Sequence, residues 1–190
     1  MGLDMYLSKI NSDVLAYKDI DMWDLKNTSP SLYEKLEPYI LKTKYGNFDT
    51  LTEEVGYWRK ANAIHGWFVD NVQSGCDDCE SYLVTKEQLE ELLDVCKTVR
   101  ESIVLVDGEI QNGWSTNKNG ALVENTERGK RVLDTTVAEE LLPTLGGFFF
   151  GGTDYDQWYV DDIEHTIDVL EKVLKDTDFE QYSILYQSSW

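Results

Sequence analysis

The chain has 190 residues, of which 42% are hydrophobic and 12% aromatic, and its 36 acidic against 17 basic residues give a net charge of −19. This length and aromatic content support one compact core, which excludes an intrinsically disordered protein. The negative charge argues against direct contact with nucleic acid or with an anionic membrane surface, because such contacts are made by Lys and Arg.

The first third of the chain predicts a strand followed by a helix. Residues 2–10 alternate around Leu3, Met5 and Leu7, a pattern typical of a strand that enters a sheet. Pro30 suits the first turn of a helix, and apolar side chains then recur at helical spacing over the next ten residues.

Residues 51–73 predict a long amphipathic helix at the centre of the chain. Thr50 and Glu53 match a capping box at its start. Its apolar side chains recur every three or four residues and are Val55, Trp58, Ala61, His65, Phe68 and Val72. We expect them to form one buried stripe. A short strand is predicted at residues 81–84.

A second strong helix is predicted from a capping box at Thr85 and Gln88 to about residue 102. The β-branched residues 103–106 then favour another strand. The turn-forming residues at 112–120 favour a loop or a hairpin.

The last third of the chain predicts two helices and two strands. Residues 133–145 indicate a weaker helix, which ends near a proline and two glycines. The glycine-bounded triplet at residues 148–150 predicts a buried strand of three phenylalanines. Asp154 and Gln157 are predicted to open a long helix, and residues 182–186 to form a final strand.

These elements predict a single α+β domain over residues 1–190, with a mixed or antiparallel sheet packed against three or four main helices. Helices and strands do not alternate regularly, which disfavours a parallel α/β sheet. No run of about 18 apolar residues predicts a transmembrane helix. Three cysteines fit a reducing compartment, so we expect a cytoplasmic protein. One core should unite Trp58, Phe68, Leu92, Cys96, Ile163, Ile167 and Leu170.

Four segments spread along the chain resemble a family of small proteins carried by bacteriophages and prophages. They are the start MGLDMYL, the segment EVGYWRKANAIHGWF, the stretch FFFGGTDYDQWYVDDI and the terminal YQSSW. The resemblance implies a cytoplasmic accessory protein of a phage or mobile element, which acts inside an infected or lysogenic bacterium. It carries over no catalytic residue.

The acidic residues of the two strongest helices are arranged in rows. Their i, i+3, i+4 and i+7 spacing, or a close variant of it, places each row on one face, away from the apolar side chains. The rows are Glu87, Glu90, Glu91 and Asp94, and then Asp161, Glu164, Asp168 and Glu171. Such rows can occupy Arg and Lys sites that normally hold phosphate groups.

The leading hypothesis is therefore a non-enzymatic interaction protein that binds and inhibits a basic host protein. The expected partner is a nucleic-acid-binding or defence protein, which the chain would engage as a nucleic-acid mimic, in the manner of an anti-CRISPR protein. The alternative explanation of the charge is that acidity keeps the protein soluble. A replication or structural accessory role without either property also stays open.

A function of a different class is a small-molecule or nucleotide binder, or an enzyme. Trp58, Arg59, Asn62 and His65 would supply it with an aromatic ring, a cation, an amide and a general base. The ordinary interpretation is that the polar side chains are solvated, whereas His65 is a core histidine with a hydrogen-bonded nitrogen. No catalytic residue and no cofactor are predicted.

Cys76 and Cys79 form half of a possible zinc site, since two nearby thiolates can share a tetrahedral metal. Two further ligands are missing, because His65 lies about 15 Å away along the predicted helix and Cys96 points to the core. The two intervening aspartates disfavour thiolates, so a redox pair is not expected either. The prediction is a surface loop without metal.

Overall fold

A computed structural model describes residues 2–43, 46 and 48–190, so that Met1 of the MGLDMYL segment lies outside them. Its helices are α1 (Met22–Thr28), α2 (Pro30–Leu36), α3 (Asn62–Asn71), α4 (Lys86–Ser102), α5 (Thr136–Leu141) and α6 (Gln157–Asp176), with 3-10 turns at Ser12–Tyr17 and Glu37–Tyr39. Its strands are β1 (Asp4–Asn11), β2 (Leu41–Lys42), β3 (Asp49–Thr50), β4 (Thr52–Arg59), β5 (Tyr82–Val84), β6 (Leu105–Thr116), β7 (Leu122–Val132) and β8 (Tyr182–Ser189). Within these ranges, no helix combines the length and the apolar character that crossing a membrane requires.

The main sheet has four strands in the order β4-β1-β8-β5, and each neighbouring pair is antiparallel. The N-terminal and C-terminal strands, β1 and β8, lie at its centre, with Met5 opposite Ser188 and Leu7 opposite Tyr186. Two smaller antiparallel pairs join β2 to β3 and β6 to β7. The protein is therefore a single α+β domain with antiparallel sheets, as the sequence predicts.

The main sheet separates two hydrophobic clusters. The larger cluster contains Met5 and Tyr186 together with side chains of α3, α4 and α6. As predicted, it unites Trp58, Phe68, Leu92, Cys96, Ile163 and Leu170, with Ile167 partly buried against them. In the smaller cluster, Ile10 and Leu185 pack with side chains of α1 and α2. The central strands contribute to both clusters because successive side chains of a strand point to opposite faces.

The predicted helix over residues 51–73 is wrong in its first half. Thr52–Arg59 form strand β4, which pairs with β1, and Asn62–Asn71 form helix α3. Lys60, with a left-handed φ of 62°, makes the corner between the two elements. Gly56 is unfavourable inside a helix, and the pairing of β4 with a central strand overrides the helical spacing of its apolar residues.

The other helices agree better with the sequence. The predicted capping box is present at the start of α4, where Gln88 N donates to Thr85 Oγ1 (3.1 Å) and Thr85 N donates to Gln88 Oε1 (2.9 Å). Helix α6 is capped by Asp156 rather than by Asp154. The weaker predicted helix is present as the shorter α5. Of the strand predicted at residues 103–106, only the last two residues are in a strand, the longer β6, which forms a hairpin with β7.

The prediction of a buried phenylalanine strand is also wrong, because the triplet lies in a glycine-rich loop between α5 and α6. We call residues 145–152 the glycine loop. Phe148 is 94% exposed, whereas Phe150 is buried. Gly151 adopts a φ of 93°, a left-handed conformation that favours glycine. The loop contacts the residue just before β1, where Leu3 N donates to Phe149 O (3.0 Å).

Helix α6 packs closely on β4 at Gly56. A Cβ atom at this position would lie 2.6 Å from Val169 Cγ1 and 3.1 Å from Trp58 Cη2. Both distances are shorter than an ordinary van der Waals contact between carbon atoms. A side chain at position 56 would therefore force α6 and β4 apart.

We expect Gly56→Ala to lower the free energy of unfolding by about 1–3 kcal/mol, because the added methyl group overpacks this contact. Gly146→Ala is the matched control, since the nearest atom to its Cβ, Thr153 Cγ2, would lie 4.0 Å away. Urea-induced unfolding followed by tryptophan fluorescence measures both variants. Equal loss of stability in the two variants would contradict the close packing.

Candidate functional site

The eight carboxylates of the two acidic rows are all exposed. Helices α4 and α6, which carry them, pack against each other and place their apolar faces in the larger hydrophobic cluster. The rows therefore lie on the outer surface of one helical layer, as their spacing predicts.

Three carboxylates of the rows form ion pairs within the chain, and two of these pairs join α4 to α6. The pairs are Lys86–Glu90, Lys97–Glu171 and Arg100–Glu164, with N–O distances of 3.4, 2.7 and 2.6 Å. The remaining five have no ion-pair partner in the part of the chain that the structure describes and are Glu87, Glu91, Asp94, Asp161 and Asp168. Three of these five are on α4, so its row is the less neutralised.

A cleft of about 830 Å³ lies beside the start of α6. It is lined by the β6–β7 hairpin, the glycine loop, the first turns of α6 and the corner between β4 and α3. Its volume is in the range of small-molecule sites. The exposed apolar side chains that line it are Trp114, Leu122, Phe148 and Trp158.

The side-chain amide of Asn62 holds the glycine loop against the start of α3. Its Nδ2 donates to the carbonyl oxygens of Phe150 (3.1 Å) and Gly152 (2.7 Å), and its Oδ1 accepts from Leu145 N (2.9 Å). Asn62 is buried, and these bonds use most of its hydrogen-bonding capacity. Although Asn62 lines the cleft, it shapes the wall rather than offering a free amide to a ligand.

The lining of the cleft carries four carboxylates and two cations. The carboxylates are Asp154, Asp156, Asp161 and Asp162, and the cations are Arg59 and Lys60. Arg59 also faces Asp4 outside the cleft, at a distance of 3.9 Å between Nε and Oδ1. The negative groups therefore outnumber the positive groups in the cleft.

The carboxylates at the start of α6 have different surroundings. Asp156 caps the helix, because its Oδ1 accepts from the backbone N–H groups of Trp158 (2.8 Å) and Tyr159 (3.2 Å). Burial, together with the charges of Asp161 and Asp156, raises the pKa of Asp162 to about 7. The cleft thus contains one carboxyl group that changes its charge near neutral pH.

Of the four residues predicted to form a ligand site, the exposed Arg59 and the buried Asn62 line the cleft, whereas Trp58 and His65 lie in the core away from it. Trp58 is a core residue of β4, and its indole Nε1 donates to Thr166 Oγ1 (2.9 Å) on α6. His65 is fully buried in α3. The four residues are therefore divided between the cleft surface and the core, because Trp58 and Arg59 point to opposite faces of a strand.

His65 is a core histidine, as the ordinary interpretation predicts. Its Nδ1 lies 2.8 Å from the Tyr186 hydroxyl and its Nε2 lies 3.1 Å from Asp77 Oδ2. Trp190 Nε1 donates to the other oxygen of the same carboxylate (3.0 Å). Burial, together with the charge of Asp77, raises the pKa of Tyr186 well above its usual value. Both ring nitrogens of His65 are thus engaged inside the protein.

The cysteines do not come together. Cys76 is exposed and Cys79 half-buried on the loop after α3, whereas Cys96 is buried in α4. A hydrogen bond to Asp78 (3.4 Å) and the charge of this carboxylate raise the pKa of Cys76, which disfavours a reactive thiolate. Among residues 2–43, 46 and 48–190, no group of three potential ligands could hold a metal ion.

Sequence reasoning missed the residues that tertiary structure brings to the cleft, Trp114 and Phe148. One local signal was available at the start of α6. Asp161 and Asp162 follow Trp158 at positions i+3 and i+4, a spacing that puts an aromatic ring and two carboxylates on neighbouring positions of one helix surface. Asp161 thus belongs to the acidic row of α6 and also to the cleft.

We expect Asn62→Ala to lower the free energy of unfolding by about 2–4 kcal/mol, because the buried Phe150 carbonyl and two partly buried backbone groups, Gly152 O and Leu145 N, lose their partner. The amide of Leu145 should also exchange its hydrogen faster. Asn71→Ala is the matched control, since that exposed side chain donates to Trp67 O within α3 and makes no other hydrogen bond to the described residues. Chemical denaturation and hydrogen exchange measure the two effects. Unchanged exchange at Leu145 in Asn62→Ala would contradict the role of the amide.

We expect the Asp162 carboxyl to titrate with a midpoint of about 7 in carbon NMR spectra. Because folding raises this pKa, the folded protein binds the proton more tightly than the unfolded chain does. The free energy of unfolding therefore falls as the pH rises from about 4 to about 7. Asp162→Asn should therefore be stabilising relative to the parent at pH 8, with the advantage lost near pH 4. Asp176→Asn, at the other end of α6, is the control. A midpoint near pH 4 for Asp162 would refute the shift.

Comparison of the chain with protein-family models, with curated proteins and with solved structures found no match. The chemistry of the two surfaces is therefore inferred from the residues that form them. These surfaces are the acidic outer face of α4 and α6 and the aromatic, acidic cleft at the start of α6.

Proposed function

We propose that the protein is a non-enzymatic accessory protein of a phage or mobile element that binds a basic host protein through the outer face of α4 and α6. The observation that carries the proposal is the set of five exposed carboxylates without an ion-pair partner on two adjacent helices, within the described ranges. The expected partner is a nucleic-acid-binding or defence protein, which the acidic face would inhibit by occupying the site of a phosphate backbone.

The geometry of the rows supports recognition of a basic groove. Side chains three and four residues apart on a helix have Cβ atoms about 5–6 Å apart, so each row presents regularly spaced negative charges. Two ion pairs join α4 to α6 beside the rows, although exposed pairs of this kind contribute little stability, and the apolar packing of the two helices holds their faces together. Complementary fields between such a face and a basic groove speed association and select the partner.

The carboxylates of the α4 row that have no ion-pair partner among the described residues allow the clearest test of the proposed binding face. Glu87, Glu91 and Asp94 are exposed and have no ion-pair partner among the described residues. Their replacement breaks no ion pair and no side-chain hydrogen bond among the described residues, so each substitution should change the free energy of unfolding by less than about 0.5 kcal/mol. A loss of binding can then be assigned to the acidic face itself.

We expect the combined variant Glu87→Lys, Glu91→Lys and Asp94→Lys to fold but to lose the basic partner. The parent protein should capture a basic protein from a bacterial lysate at low salt and release it at high salt, because screening weakens such contacts. The variant should bind the captured protein at least about tenfold more weakly at low salt, since repulsion replaces attraction. Circular dichroism and titration with the purified partner measure folding and affinity.

The control is Asp24→Lys, Glu34→Lys and Glu37→Lys, which changes the net charge equally at exposed positions of α1, α2 and the turn after α2. This variant should retain the partner. Equal weakening in both triple variants would assign binding to net charge alone. Unchanged binding in both would leave the acidic face with a solubilising role.

A further inference from the structure

The cleft beside the start of α6 brings together exposed aromatic side chains from three separate elements. Trp114 comes from the β6–β7 hairpin, Phe148 from the glycine loop and Trp158 from α6, and all three are more than half exposed. A folded monomer seldom exposes several large rings around one concave surface unless they contact a ligand. The cleft therefore has the aromatic surface and the volume of a binding site.

The charges in the cleft select the kind of ligand. The lining contains four aspartates and two basic residues, Arg59 and Lys60, and Arg59 also lies near Asp4 outside the cleft. Asp154 and Asp161 make no side-chain hydrogen bond or ion pair within the described residues, so their oxygens are available. An anionic ligand would meet repulsion from these carboxylates, whereas a cation would be attracted.

The start of α6 places a carboxylate beside an aromatic ring. Asp161 lies at position i+3 from Trp158, and both residues line the cleft. A cation over a tryptophan face is attracted by the ring quadrupole, and a neighbouring carboxylate adds direct charge attraction. Guanidinium and alkylammonium groups combine this charge with an apolar or planar surface that packs on the ring.

We propose that the cleft binds an organic cation, a guanidinium or alkylammonium group that pairs with Asp161 and Asp154 and packs on Trp158 and Trp114. The inference goes beyond the proposed function, because it assigns a ligand to a site separate from the row on α4. A free polyamine or guanidine supplies this chemistry, and so does an Arg or Lys side chain of a protein.

Titration of the full chain with three probes tests the site. Agmatine represents a free cation, a capped Gly-Arg-Gly peptide represents a protein side chain, and N-butylurea is an uncharged analogue of the guanidinium end. We expect saturable binding of agmatine, the peptide or both by calorimetry, with shifts of tryptophan indole signals in NMR spectra. Binding should weaken with rising salt, and N-butylurea should bind at least about tenfold more weakly.

Matched variants locate the site. Trp158→Ala and Asp161→Asn should each weaken binding by about tenfold, the size expected for a cation–π or charge contact. Trp23→Ala removes a ring on α1 that is even more exposed than Trp158, and Asp176→Asn removes an exposed carboxylate at the other end of α6, so these controls should bind as the parent does. Circular dichroism confirms that each variant is folded.

The charged probe that binds more tightly, agmatine or the peptide, identifies the source of the cation. Tighter binding of either charged probe than of N-butylurea supports the site. No saturable binding of either one, equal binding of N-butylurea, or equal weakening in the control variants would overturn the proposal. None of these measurements involves the carboxylates of the α4 row. Failure at the cleft is therefore distinguishable from failure of the acidic face to bind a basic protein.

Discussion

The hydrogen bonds of the Asn62 side chain join parts of the chain that no local pattern connects. They attach the beginning and the end of the glycine loop to the first turn of α3. A glycine-rich loop loses much conformational entropy on folding, so its order depends on such fixed contacts. Once held, the loop directs Phe150 into the core and leaves Phe148 at the cleft. The shape of the cleft therefore depends on one buried amide.

The segments from which we predict a phage or prophage origin are neighbours in space. The rings of His65 and Phe150 have centroids 5.1 Å apart, and those of Phe150 and Trp190 are 6.0 Å apart. Asp77 also joins His65 to Trp190 through its two carboxylate oxygens. These contacts bring the IHGWF, FFFGG and YQSSW segments together beside the glycine loop. The segments also include much of the cleft lining but none of the acidic row on α4.

Helix α6 connects the two candidate surfaces. Its outer face carries an acidic row that two residues of α4 partly neutralise, and its first turns line the cleft. Asp161 belongs to both surfaces. The raised pKa of Asp162 reflects the cost of placing another negative charge in a partly buried, already acidic region. An acidic surface on this helix is therefore both an electrostatic cost to the fold and the basis of the binding that we propose.

The sequence by itself determined the elements whose signals are local. The capping box at Thr85, the amphipathic spacing of α4 and α6, and the exposure of the acidic rows all depend on residues within a few positions of one another. The α+β class and the shared core of distant apolar residues also followed from these patterns. Only the tertiary structure decided that residues 52–59 form a strand, because pairing with β1 outweighs their helical spacing. It alone assembled the cleft, since Trp114, Phe148 and Trp158 approach one another through contacts between segments far apart in the chain, which no local pattern encodes.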